Sequence, residues 1–114
     1  MNLHTPRKLK FKAWDQESNL LMRLNSIDCV RGELVKKNHV LLQFTGLLDK
    51  QEEEIYEMDI LLKGSEKFLV RWNADLNGWY FSPLTQVDQQ HVLSKTEAIQ
   101  TIRLCNYFEG SGQK

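Results

Sequence analysis

Glu57 and Asp59 are the first residues to consider for chemistry. They are two positions apart in "EIYEMDILL", inside a run that also holds Glu52, Glu53 and Glu54. In extended backbone, alternate side chains share a face at a spacing of about 7 Å. Two carboxylates placed so could hold a hard cation or share one proton. They bring no third ligand, so the favoured reading is structural: Asp59 accepts backbone N–H bonds where a strand starts, and the glutamates are solvated. The second candidate is basic and aromatic. Trp14 falls on the same side of "KLKFKAW" as Lys8, Lys10 and Lys12. Such a ring could stack on a base while the ammonium groups meet phosphates. The competing reading buries Trp14 under a second layer or in a subunit contact.

Other chemistry finds little footing. His4, His39 and His91 are scattered, and none stands at metal-ligand spacing from a cysteine or another histidine. Cys29 and Cys105 lie far apart and read as free thiols. The chain has no phosphate-binding glycine loop and no nucleophile elbow. A non-enzymatic protein without metal or cofactor is the expectation.

The totals narrow the class. The chain has 114 residues, 41% of them apolar, which suits one globular domain, read as 1–109 with a flexible tail at 110–114. Fifteen basic residues balance fifteen acidic ones, so the chain is not a general DNA-coating protein. No apolar run is long enough to span a bilayer, and a cytoplasmic location is expected. Charge is segregated: Arg7, Lys8, Lys10 and Lys12 open the chain, and the acids crowd residues 52–59. These are either two solvated surfaces or complementary patches that steer self-association.

The elements that must position these residues are mostly strands. "KLKFKAW" alternates, with Leu9, Phe11 and Ala13 on one face. Residues 15–19 read as a turn, "LLMRL" as an apolar strand, and "NSIDCVRGELV" as short strands about a turn at Arg31–Gly32. "HVLLQFTG" puts Val40, Leu42 and Phe44 on one face, with Gly46 ending it. Asp49 is placed to cap a turn, and the glutamates after it favour a short helical turn. Residues 55–63 return to strand, stopped at Gly64.

Residues 67–83 give the clearest local prediction. Asn77–Gly78 is the preferred pair for a two-residue hairpin turn. It would put Trp72, Leu76, Trp79 and Phe81 on one dry face with Phe68, Val70 and Ala74, and Trp72 opposite Pro83. A four-residue loop would keep the same faces. Ser94 and Glu97 form a capping-box pattern that starts a short helix near Lys95. Residues 101–108 favour a closing strand over a continued helix. The whole predicts a mostly-β domain, a small barrel or rolled antiparallel sheet, with one short C-terminal helix.

Three motifs carry a family resemblance. "KFKAWD" at 10–15, "LLQFTGLLDKQEEEIYEMDI" at 41–60 and "CNYFEG" at 105–110 resemble, in order, the signatures of the YopX proteins of phages and prophages. Thr45, Gly46, Asp49, Tyr56, Glu57, Asp59 and Asn106 are among the matching residues. The family has asparagine and glycine where Gln51 and Glu52 stand, and glycine where Met58 stands, so a rebuilt loop or strain is expected there. The resemblance implies a β-rich fold, a phage or prophage origin and no transferable catalytic residues, which makes these motif residues architectural. Three functions compete: a self-associating module that binds its own copy or a host or phage protein; a nucleic-acid-binding β-barrel using Lys8, Lys10, Lys12 and Trp14; and a small-molecule or nucleotide binder.

Overall fold

The computed structural model of the chain describes residues 3–111. The protein is mostly β, and its main sheet curls into a half-barrel. One sheet is built from β1 (Phe11–Asp15), β2 (Leu20–Arg23), β5 (His39–Leu48) and β6 (Glu54–Tyr56), in the order β2-β1-β5-β6. The second runs β10-β9-β8-β7-β11, from β7 (Asp59–Lys63), β8 (Glu66–Asn73), β9 (Gly78–Pro83), β10 (His91–Val92) and β11 (Ile102–Asn106). A separate two-stranded sheet pairs β3 (Asp28–Val30) with β4 (Glu33–Val35). Two short helices, α1 (Lys95–Ala98) and α2 (Tyr107–Ser111), flank β11.

Local chemistry explains most of the turns. Asp15 accepts from the backbone N–H groups of Glu17 and Ser18 and closes the β1–β2 loop. Arg31 (φ 54°) and Gly32 (φ 84°) both take left-handed backbone, the requirement of a tight primed turn. Ser94 caps α1 by accepting from the Glu97 N–H, as the capping box predicts. Strand β11 is the expected closing strand over 102–106, but residues 107 and 108 open a second helix, α2, instead of extending it. The tail expected over 110–114 is different: Gly110 and Ser111 belong to α2, and 112–114 lie outside the described residues.

The central hairpin keeps its predicted faces but not its predicted turn. Asn73 pairs with Gly78, so the loop has four residues, 74–77, and Trp72 stands opposite Trp79 rather than Pro83. The Asn73 side chain accepts from Leu76 N–H at 3.0 Å, and Asn77 alone takes the left-handed turn (φ 54°). An asparagine at each end thus holds a longer loop. Trp72, Trp79 and Phe81 do share a side. The core, however, gathers around Ile55, Leu61, Phe68, Val70, Phe81, Leu93 and Ala98, with Trp79 at its margin. The hairpin runs past that core, leaving Trp72 43% exposed and Leu76 63% exposed, not buried as predicted.

The signature stretch is also built differently from expectation. Gly46 (φ 87°) does not end β5; it forms a bulge inside it. Phe44 pairs with Tyr56 and Leu48 with Glu54, so Thr45, Gly46 and Leu47 face Ile55 alone. The Thr45 hydroxyl makes up for the interrupted ladder, donating to Ile55 O at 2.8 Å and accepting from Leu47 N at 3.1 Å. Residues 50–53 form a turn rather than a helical turn. Glu52 occupies it at φ 63°, a left-handed conformation that a glycine would adopt without strain. Glu52 is exposed and carries a charge among like charges. Glu52→Gly should therefore raise the urea midpoint, with a gain of about 0.5–1 kcal/mol once the added unfolded-state freedom is set against the relieved strain.

Candidate functional site

The acidic stretch folds into a corner between the two sheets. Strand β6 ends at Tyr56, the chain turns through Glu57 and Met58, and β7 starts at Asp59. Met58 makes the turn at φ 68°, so the strain inferred from the missing glycine is present. Its backbone is held on both sides: its N–H donates to Val70 O at 2.7 Å, and its carbonyl accepts from Tyr107 N at 2.7 Å. Two backbone bonds over-determine the conformation.

Asp59 is fully buried. Its Oδ2 accepts from Tyr56 N at 2.7 Å and from Arg103 Nε at 2.9 Å; its Oδ1 accepts from Asn106 Nδ2 at 3.0 Å. The bond from Tyr56 N is the strand-start role predicted for it. Asn106, also buried, donates to Glu57 O and accepts from Phe108 N. Burial raises the Asp59 pKa, and the Arg103 contact is the largest effect opposing it. Burial disfavours the Arg103 cation, but Asp59 more than offsets this and holds it protonated. Asp49, buried too, accepts from Gln51 N and Glu53 N through Oδ1 and from Arg103 N through Oδ2 at 2.7 Å. Asp49, Asp59 and Asn106 therefore tie the signature stretch to β11.

Glu57 and Asp59 do not converge on a cation. The turn between them sends Asp59 inward, while Glu57 Oε1 accepts from Gln43 N at 3.3 Å on the other side of the corner. Among the described residues no group of three metal-ligating side chains occurs. Burial pushes the Glu57 carboxyl above its usual range, with only the Gln43 bond opposing it.

The basic strand meets the acidic stretch within the chain. Lys10 forms an ion pair with Glu54 and lies over the Phe44 ring. The Lys10 contact lowers the Glu54 pKa. Lys12 lies 4.4 Å over the Tyr56 ring. Burial lowers the Lys12 pKa, and the nearby Arg103 charge adds to it. Burial pushes the Tyr56 hydroxyl up to about 12, and it donates to Glu54. A polar cleft of about 360 Å³ runs between Lys10, Lys12, Arg23, Glu54, Tyr56 and Arg103. Lys8 is exposed before the strand. Trp14 is not an open platform: it is 6% exposed and stacked on Phe108 of α2, with centroids 5.7 Å apart. This is the reading that buries Trp14 under a second layer, and the layer is α2, whose Phe108 falls in the segment expected to be strand.

The signature geometry coincides with the outcome of the family comparison. The model described as YopX protein matches residues 8–105. The chain belongs to the YopX family. Its fold is similar to that of protein EF1440 from Enterococcus faecalis, known from a crystal structure. That similarity has a TM-score of 0.62 at 20% identity and covers 92% of this chain and 96% of the other. No curated protein has a matching sequence. No helix among the described residues is long and apolar enough to cross a membrane.

Glu57 gives this YopX chain a testable pH signature. A carboxyl whose folded pKa is raised binds its proton more tightly in the folded state, so stability falls as pH rises from the ordinary carboxylate range through the folded value. Glu57→Gln removes that loss. Urea titrations should find the variant more stable than the wild type at neutral pH, with the difference disappearing on acidification.

Proposed function

We propose that this YopX protein is a non-enzymatic interaction module that pairs with a second copy of itself through the β3–β4 arm. One observation carries the reading: all six residues of the arm's two strands are exposed, and among the described residues the strands pair only with each other. Val30 is 53% exposed, Val35 43% and Leu34 36%. A lone two-stranded hairpin is marginal in water, and one with apolar residues on both faces needs cover. The radius of gyration, 14.8 Å, exceeds the roughly 13 Å of a compact chain of this length, in keeping with a projecting arm.

A second copy fits the arm in shape and charge. The root of the arm, Ser26 and Ile27, lines a groove with Leu9, Phe11, Arg23 and Leu24. An arm that springs from the mouth of its own groove can reach its partner's groove across a two-fold axis, and the exchange is reciprocal. On the arm, Asp28 and Glu33 share a face with Val30 and Val35. Beside the groove, Lys12 and Arg23 have no ion-pair partner among the described residues. The phage or prophage setting implied by the family, and a host or phage protein as partner, belong to the same proposal. Single-strand binding has weaker support, since Trp14 is covered and Lys10 is paired; it would rest on Lys8, Lys12 and Arg23.

Sedimentation over a range of concentrations tests the arm. The wild type should form a dimer that dissociates on dilution. Val30→Asp with Val35→Asp should sediment as a monomer with an unchanged near-UV spectrum. A wild type that stays monomeric throughout sinks the proposal.

A further inference from the structure

A second surface, lined by no residue of the arm, carries chemistry of its own. Trp72 and Trp79 face each other across β8 and β9, with ring centroids 5.1 Å apart and planes at 75°. They form two walls of a cavity of about 350 Å³ whose other lining residues are Arg7, Gln43 and Glu57. Edge-to-face packing accounts for the two rings being together. It does not account for Trp72 remaining 43% exposed at the mouth of the cavity.

Glu57 supplies the second observation. Its Oε1 accepts the single bond from Gln43 N, and Oε2 has no partner among the described residues. No neighbouring charge stabilises the carboxylate: Arg7 lines the same cavity without forming an ion pair with it. A glutamine would satisfy Gln43 equally well. A half-buried carboxylate beside two indole rings combines the two attractions that select an organic cation, direct charge and the negative face of a ring.

We propose that Trp72, Trp79 and Glu57 form a receptor for a cationic side chain, the guanidinium of arginine or the ammonium of lysine, presented by a partner polypeptide. The indoles hold the flat or rounded head and its alkyl stem, and Glu57 Oε2 takes the hydrogen bond and the charge. Tryptophan is also the residue type that dominates binding energy at protein interfaces, and Trp72 is exposed here. The site uses β5, β8, β9 and the corner, and no residue of the arm, so it stands or falls apart from self-association.

The test follows the indole N–H signals in heteronuclear spectra during titration with N-acetyl-argininamide, N-acetyl-lysinamide, tetramethylammonium and the neutral N-acetyl-citrullinamide. Saturable shifts of Trp72 and Trp79 with the arginine or lysine derivative, Trp14 staying still, are the expected result. The citrulline derivative should leave all three unmoved. Glu57→Gln, which keeps the Gln43 bond, should weaken binding about tenfold or more, and Trp72→Ala should abolish the shifts in a folded protein. Equal binding of the citrulline derivative, unweakened binding by Glu57→Gln, or no saturable shift overturns the assignment. Tetramethylammonium binding as tightly as both amino-acid derivatives replaces the side chain with a free small cation. Repeating the titration on the monomeric arm variant separates this site from the dimer: unchanged shifts are expected, and their loss would mean that the site belongs to the self-association interface.

Discussion

The buried carboxylate of Asp59 is the point on which the two sheets turn. It accepts from the end of β6 and, on β11, from the Arg103 guanidinium and the Asn106 side-chain amide. The donors come from two strands of different sheets, β6 and β11, and each would otherwise be a polar group shut away from water. Removing one partner of such a buried pair typically costs about 3–5 kcal/mol, because the other charge is left uncompensated. Five of the YopX signature residues are thus explained by architecture. Asp59 and Asn106 lock the corner, Asp49 fastens the loop before it to β11, and Thr45 with Gly46 sets the bulge that bends β5 toward it.

Backbone strain follows the same plan. Among the described residues, six non-glycine residues take positive φ: Asn19, Arg31, Asn38, Glu52, Met58 and Asn77. The asparagines tolerate it. Glu52 and Met58 do not, and both sit where backbone hydrogen bonds hold the turn in place, Glu52 through Asp49 and Met58 through Val70 and Tyr107. The corner therefore keeps its shape without the glycines that the family places there.

Local chemistry was readable in the sequence wherever the partners lie within a few residues. The capping box at Ser94, the turn at Arg31–Gly32 and the shared face of Trp72, Trp79 and Phe81 are of this kind. Period-two patterning assigns a face but does not say what covers it, so Trp72 read as core although the core ends before it. Long-range partners left no local mark. Lys10 meets Glu54 and Asp49 meets the Arg103 amide only because β1 and β11 are brought to the corner by the tertiary fold. The sequence offers burial under a second layer as one reading of Trp14, but nothing local names the cover, because Phe108 is nearly a hundred residues away and falls in a segment that reads as strand. At the Glu57–Asp59 pair, the alternation rule failed at one left-handed residue, Met58, which sends the two carboxylates to opposite sides.

The free-standing β3–β4 arm means that the molecule does not have a single stability. Amide protons in the arm of an isolated protomer can exchange with solvent through local fraying alone, while those around Asp59 require the whole domain to open. Burying the arm in a neighbour would slow its exchange and leave the corner unaltered. The arm's amides would then report occupancy of that surface, and the corner would serve as the internal clock against which the change is read.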